Sequence, residues 1–318
     1  MRAAEVRTPG DAPVAADRGE PDASGGRVLV DVLAAPITPL DLLCAGGRSY
    51  FGVPATPYVP GVQGVGRTRD GRVAWFPTPA GMAPGDGSMA ATAAVPGDAL
   101  VDLPDGADPV GVAAAGLSAV AALMALTWRG ELAAGEQVVV LGAGGVVGQA
   151  AVQLARAAGA GRIVAAARSA PARERAAAAG ADAVVALDTD DVDVLTERLL
   201  AAGDGPADLV VDPLFGAPAV AATRALRAGG RLVNLGSAAG ETATLDSATL
   251  RSRSLRVLGY TNNELTAAQR RDAVTRVAAA VADGSLAVAH ETVPLDDVAA
   301  AWSRQAAGDT TGRIVLVP

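Results

Sequence analysis

The run Val138-Val139-Val140-Leu141-Gly142-Ala143-Gly144-Gly145-Val146-Val147-Gly148 places glycines where a buried strand turns into a helix. Each glycine has its own use in such a turn. Gly142 permits the tight reversal, Gly145 has no Cβ to block an approaching pyrophosphate, and Gly148 lets the helix pack close to the sheet. Amides at the helix start, from Gly144 through Val147, then face the anion with help from the helix dipole. A second strand, residues 162–167, ends in Arg168-Ser169 and carries no carboxylate. Sites for NAD put an acid at that point to accept from the ribose hydroxyls. A guanidinium fork with a serine hydroxyl, joined by Arg173 or Arg175, instead suits a 2′-phosphate, unless Arg168 is only a solvated loop residue. The expected cofactor is NADPH rather than NADH.

Residue types that are scarce narrow the chemistry further. The 318 residues include no lysine, one cysteine (Cys44) and one histidine (His290). A Walker or Schiff-base lysine, an internal disulfide and a cysteine–histidine metal cluster are all excluded. The net charge of −8 argues against a nucleic-acid partner, and the 50% hydrophobic content against a disordered chain. The start of the chain has no apolar h-region, so a cytoplasmic protein is expected. Residues 110–128 carry no charge, but they are mostly Ala, Gly and Val. With Asp108-Pro109 as cap and first turn, they read as a buried interdomain helix and not a membrane span.

Around these residues the chain changes texture. The first hundred residues are rich in turns and prolines, with strands expected at 28–33 and 71–76. Beyond residue 117, strands at 137–141, 162–167, 183–187, 209–211 and 231–235 alternate with helices at 146–158, 172–179, 192–202 and 217–226. That alternation predicts a parallel sheet with right-handed crossovers. A helix at 267–282 and a strand at 314–317 follow.

Several segments, taken in order, resemble the medium-chain dehydrogenase/reductase superfamily, specifically its zinc-independent quinone oxidoreductase branch. They are Ile37-Thr38-Pro39-Leu40-Asp41, Pro57-Tyr58-Val59-Pro60-Gly61-Val62-Gln63-Gly64-Val65-Gly66, Gly116-Leu117-Ser118-Ala119 and the glycine turn. Gly180-Ala181-Asp182-Ala183-Val184, Gly229-Gly230-Arg231-Leu232-Val233-Asn234-Leu235-Gly236 and Gly312-Arg313-Ile314-Val315-Leu316-Val317 complete the set. The resemblance implies an α/β chain with a GroES-like β-barrel catalytic domain, residues 1–116 and 263–318, and a Rossmann domain, residues 117–262. It also implies a nicotinamide in the cleft between the domains and a homodimer joined through edge strands near Leu255-Arg256-Val257-Leu258. Zinc-dependent relatives carry cysteine at Thr38 and histidine–glutamate at Val62-Gln63, so no zinc is expected. The branch itself usually has asparagine at Thr38 and a glycine at Val147.

What remains is a reaction that needs little acid–base help: hydride transfer to a quinone or an α,β-unsaturated carbonyl compound. Candidate hydroxyls are Tyr50, Thr38 and Ser118. The resemblance turns Tyr50 toward the substrate as proton donor or clamp, while a packing tyrosine is the other reading. Asp41 is read as a backbone cap, Cys44 as a buried small residue and His290 as structural or exposed. Loops ending in Leu214, Leu235, Gly236 and Ser237 follow parallel strands and are expected to line the cofactor, as is Ser118. A reductase dedicated to one biosynthetic intermediate and a non-catalytic NADPH-binding redox sensor are the alternatives.

Overall fold

The structure, a computed structural model, describes residues 1–318. It divides into unit 1, Met1–Gly116, Val274–Gly284 and Val288–Pro318, and unit 2, Leu117–Ala273 and Ser285–Ala287. The chain returns to unit 1 within the helix Ala267–Ala282, between Ala273 and Val274. Residues 285–287 go with unit 2 because the Gln153 amide holds both backbone groups of Ala287. Its Oε1 accepts from Ala287 N at 2.9 Å and its Nε2 donates to Ala287 O at 2.7 Å.

In unit 1, β1 (Arg2–Glu5) and β2 (Val14–Asp17) form a hairpin ahead of β3 (Arg27–Pro36). Helix α1 (Pro39–Ala45) begins at a capping box. Thr38 Oγ1 accepts from Asp41 N, Asp41 Oδ2 accepts from Thr38 N, and Pro39 supplies the preset first turn. Strands β4 (Gln63–Thr68), β5 (Val73–Pro77), β6 (Thr92–Pro96) and β7 (Val101–Asp102) follow. Strand β4 escapes a reading of the sequence because two of its six residues are glycines. They are there for packing: a Cβ on Gly64 would stand 2.8 Å from the Phe76 ring, and one on Gly66 2.6 Å from Asp31 O.

Helix α2 (Pro109–Met124) starts under Asp108, whose carboxylate accepts from Val110 N at 3.1 Å and Gly111 N at 2.9 Å. It kinks at Gly116 (φ 33°, ψ −133°), where a Cβ would lie 2.3 Å from Gln63 Oε1. A π-helical turn, Ala125–Arg129, extends it. This stretch is long and apolar enough to cross a membrane, but 72% of its apolar window is buried inside the fold.

Unit 2 alternates strand and helix: β8 (Gln137–Leu141), α3 (Val146–Ala157), β9 (Arg162–Ala167), α4 (Ala170–Ala178), β10 (Ala183–Ala186) and α5 (Val192–Gly203). Then come β11 (Ala207–Asp212), α6 (Gly216–Arg224), β12 (Leu226–Asn234), α7 (Ser247–Ser252), β13 (Arg256–Gly259) and α8 (Ala267–Ala282). Helix α4 starts two residues before the expected 172, since Ser169 is its cap and Pro171 lies in its first turn. The six strands lie in the order β10-β9-β8-β11-β12-β13, every pair parallel. The chain winds outward from β8 to β10 and then returns to β11 on the other side of β8. Loops after β8 and β11 therefore diverge at a topological switch point, where open α/β sheets take their ligands.

The chain ends in unit 1 with β14 (His290–Pro294), α9 (Val298–Ala307) and β15 (Arg313–Val317). Its main sheet has the order β14-β15-β3-β4-β5-β7, with β6 also on β3. Phe76, Ile37, Met89, Trp302 and Leu316 are among the buried residues of its core.

Candidate functional site

The glycine turn after β8 separates three roles that one motif would blur. Gly142 has φ +60°, a left-handed backbone that L side chains rarely adopt. Gly144 and Gly148 are set by packing, with a Cβ falling 2.4 Å from Ala172 Cβ and 2.4 Å from Ala143 Cα respectively. Gly145 is different. It caps α3 at φ −81°, is exposed, and an added Cβ would meet only Gly142 O, at 3.5 Å. Neither backbone nor packing demands glycine there, so the open space beside the helix start fits a dinucleotide's pyrophosphate. Val146 and Val147 are half-buried on the first turn. The helix starts with no side-chain cap, which leaves its first amides to a ligand.

At the end of β9, Arg168 is exposed and its guanidinium makes no hydrogen bond or ion pair within the chain. Ser169 Oγ accepts from Ala172 N at 3.3 Å, and its own proton is left to donate. Arg173 Nη1 donates to Arg168 O at 2.6 Å, which brings two guanidinium groups to one strand end. Arg175 does not join them. Its Nε donates to Gly144 O at 3.0 Å, bracing the glycine turn instead of reaching for a phosphate.

The loops after β11 and β12 are tied together by residues whose roles the sequence left unread. Asp212 is fully buried; its Oδ1 accepts from Leu214 N at 2.9 Å and Phe215 N at 2.8 Å. Asn234 Nδ2 donates to Asp212 Oδ2 at 2.9 Å and to Gly236 O at 2.8 Å. Burial pushes the Asp212 carboxyl up, against those hydrogen bonds. This web holds Phe215 at φ 57° and ψ −157°, a strained backbone for an aromatic residue. It also sets Leu214 over the glycine turn, 3.0 Å from a Cβ placed on Gly142. Leu235 and Gly236 are half-buried in the neighbouring loop, and Ser237 Oγ donates to Glu241 at 2.9 Å. After β13, Tyr260 Oη donates to Asn262 Oδ1 at 2.6 Å, and Asn262 Nδ2 reaches Leu117 O at 3.0 Å, beside half-buried Ser118.

In unit 1, Asp41 is a junction. Its Oδ2 accepts from Thr38 N at 2.8 Å and Thr38 Oγ1 at 2.6 Å, its Oδ1 from Gly61 N at 3.1 Å and Val62 N at 2.9 Å. Burial raises the carboxyl despite these donors. Nearby Arg313 is also buried, and desolvation pulls its guanidinium down to about 10, partly offset by Asp41. The Thr38 hydroxyl is thus committed to Asp41. Tyr50 is 78% exposed and rests on the Phe51 ring, centroids 4.5 Å apart. Cys44 is buried, and His290 is exposed with Nδ1 2.9 Å from Val288 O.

The chain matches the sequence family described as zinc-binding dehydrogenase over residues 146–301. It is 32% identical over 314 residues to a subunit of the phenolphthiocerol/phthiocerol polyketide synthase of Mycobacterium tuberculosis. That match takes in 94% of this chain but spans only 14% of the length of the synthase subunit. Among solved structures, the quinone oxidoreductase of Thermus thermophilus is 30% identical with a TM-score of 0.81, all of each chain being covered. The chain belongs to the medium-chain dehydrogenase/reductase superfamily. A probable oxidoreductase of Mycobacterium abscessus is another structural neighbour, 27% identical with a TM-score of 0.84, with 100% of this chain and 99% of that one covered.

Zinc, which the family description names, has no donor set here. Thr38 is bound to Asp41, Val62 is apolar, and Gln63 Oε1 accepts from Trp75 Nε1 at 2.8 Å. No three His, Cys, Asp or Glu side chains come together.

Proposed function

We propose that the chain is an NADPH-dependent reductase that delivers hydride to a quinone or an α,β-unsaturated carbonyl compound. The observation that carries this reading is Gly145, a glycine kept where only an incoming ligand needs the space. Arg168 supports the phosphorylated cofactor, as does the Thermus relative, whose complex with NADPH has been solved. When bound, that cofactor supplies the hydride.

The chain's own residues bind and orient. Gly142, Gly144, Gly145, Val146 and Val147 would hold the pyrophosphate, and Arg168, Ser169 and Arg173 the 2′-phosphate. Leu214, Leu235, Gly236, Ser237 and Ser118 would line the remainder. With no zinc donor set and no lysine, a proton would come from a hydroxyl or from water. Tyr50 is the accessible candidate, and Thr38 would first have to release Asp41. The reading includes a homodimer through the edge strand β13 and a cytoplasmic location.

The similarity to a segment of a polyketide synthase favours a second reading on the same site, with an intermediate of polyketide assembly as the dedicated acceptor. Oxidation of NADPH and NADH against a panel of quinones, enones and α,β-unsaturated thioesters separates the two. Turnover with NADPH across quinones and simple enones supports the first reading, and turnover with thioesters alone the second. Tight NADPH binding without oxidation by any acceptor would overturn both and leave a cofactor-binding sensor.

A further inference from the structure

Gly144 and Gly145 adjoin in the glycine turn, and a peptide between two residues without Cβ atoms flips readily. Here that peptide is pinned at both ends. Gly145 N donates to Gly142 O at 3.0 Å. Gly144 O accepts from Gln149 Nε2 at 3.0 Å and from Arg175 Nε at 3.0 Å. Both lone pairs of the carbonyl are thereby taken. The two donors come from different elements: Gln149, 5% exposed, from α3, and half-buried Arg175 from α4. Ala172 and Arg175 are three residues apart and share a face of α4. Ala172 packs on Gly144 so closely that a Cβ there would overlap it, which brings the Arg175 side chain within reach of the carbonyl.

Three hydrogen bonds on one peptide of an open turn call for a reason. A flip would break all three and set loose a carbonyl whose negative end repels a phosphate at the start of α3, where amides favour the anion. Held as it is, the turn needs no reordering when a ligand arrives, and that saving appears as affinity. NADPH and NADH share the pyrophosphate, while only NADPH carries the 2′-phosphate. A brace on the turn therefore serves both dinucleotides equally, unlike Arg168 at the end of β9.

We propose that Arg175, with Gln149, is a positioning residue of the dinucleotide site. It locks the Gly144–Gly145 peptide for the pyrophosphate and takes no part in the choice between NADPH and NADH. The inference rests on the dinucleotide-binding part of the reductase reading. Its test titrates NADPH, NADH and 2′-AMP, which has the 2′-phosphate but no pyrophosphate, into the full chain and two variants. Arg175→Met removes the donor and keeps helix propensity. Arg175→Gln places its Nε2 as many bonds from the backbone as the arginine Nε, without the charge.

Arg175→Met should raise the NADPH and NADH dissociation constants by one common factor of about ten and leave that of 2′-AMP unchanged. Arg175→Gln should return both dinucleotides to within about threefold of wild type. A larger loss for NADPH than for NADH, or weakened 2′-AMP binding, would make Arg175 a reader of the 2′-phosphate and overturn the proposal. Equal losses in the two variants would assign the effect to charge and overturn it as well. Unchanged dinucleotide affinity in Arg175→Met, with a lower denaturant midpoint, would leave a packing residue and spare the reductase reading. The expected pattern without reduction of any acceptor would support the brace and sink only the reductase. A wild-type chain that binds neither dinucleotide would bring down both.

Discussion

A methyl group added at Gly145 meets open space, while one at Gly148 runs into Ala143 Cα at 2.4 Å. The two alanine variants should therefore fail in different ways. Gly145→Ala should stay within about 1 kcal/mol of wild-type stability, because a poorer cap and a less flexible unfolded chain offset each other. Its dinucleotide affinity should drop sharply. Gly148→Ala should lose about 1–3 kcal/mol of stability from overpacking. Denaturant melts and equilibrium binding on both variants check the pair, and equal binding in Gly145→Ala and wild type would remove the pyrophosphate assignment. Arg168→Ala should raise the NADPH dissociation constant by about 10- to 100-fold, as expected for loss of charge-assisted hydrogen bonds, and leave that of NADH nearly unchanged. Equal effects on the two cofactors would return Arg168 to the solvent.

Between elements, the joints are made by a few buried polar groups. Asp41 fastens the start of α1 to residues 61–62 through four hydrogen bonds. Asp41→Ala should cost at least the roughly 2 kcal/mol at the upper end of helix-cap deletions, read as a lower denaturant midpoint. In unit 2, Arg231 is 3% exposed and meets Glu136 twice, at 2.8 and 2.5 Å, while also donating to Asp208 O, Glu131 O and Gly130 O. Burial pushes the Glu136 carboxyl up, but Arg231 and the Ala133 amide outweigh that and bring it below its ordinary 4.5. The folded state thus holds this proton less tightly than the unfolded chain. Its stabilisation is complete above about pH 4.5 and disappears as pH falls through the lowered value. Glu136→Gln should narrow its stability gap to wild type on going from about pH 6 to about pH 3. A gap that stays constant would assign the acid sensitivity to other carboxylates. These joints also mark the limit of what the sequence conveys. Strands β8, β9 and β11 and helix α3 were legible because parallel strands buried on both faces read as apolar runs. Strand β4 was hidden by glycines at 64 and 66, whose reason is a neighbouring chain segment. The glycine turn and Arg168 could be read locally. The diversion of Arg175 to Gly144 O and the Asp212–Asn234 web arise only when distant segments meet.

At the scale of the molecule, the parallel sheet of unit 2 ends in an unpaired edge. Strand β13 shows Val257 at 40% exposure with Arg256 and Gly259 beside it. If two copies join there, Val257→Pro should abolish pairing, since proline has no amide to donate. Analytical ultracentrifugation at micromolar concentration checks this, and a wild-type monomer would end the dimer reading. The position of β15 has a consequence for the order of events during synthesis. Unit 1 inserts this last strand between β3 and β14, with Leu316 opposite Ala35, and its core includes Trp302 and Leu316. A ribosome therefore releases nearly all of unit 2 before the residues that complete unit 1. The unit begun first is finished last, with the β3 edge at Ala35 and Pro36 unpaired in the meantime. Substitutions that slow docking of the final residues should reduce soluble yield from translation far more than they lower the stability of protein already folded.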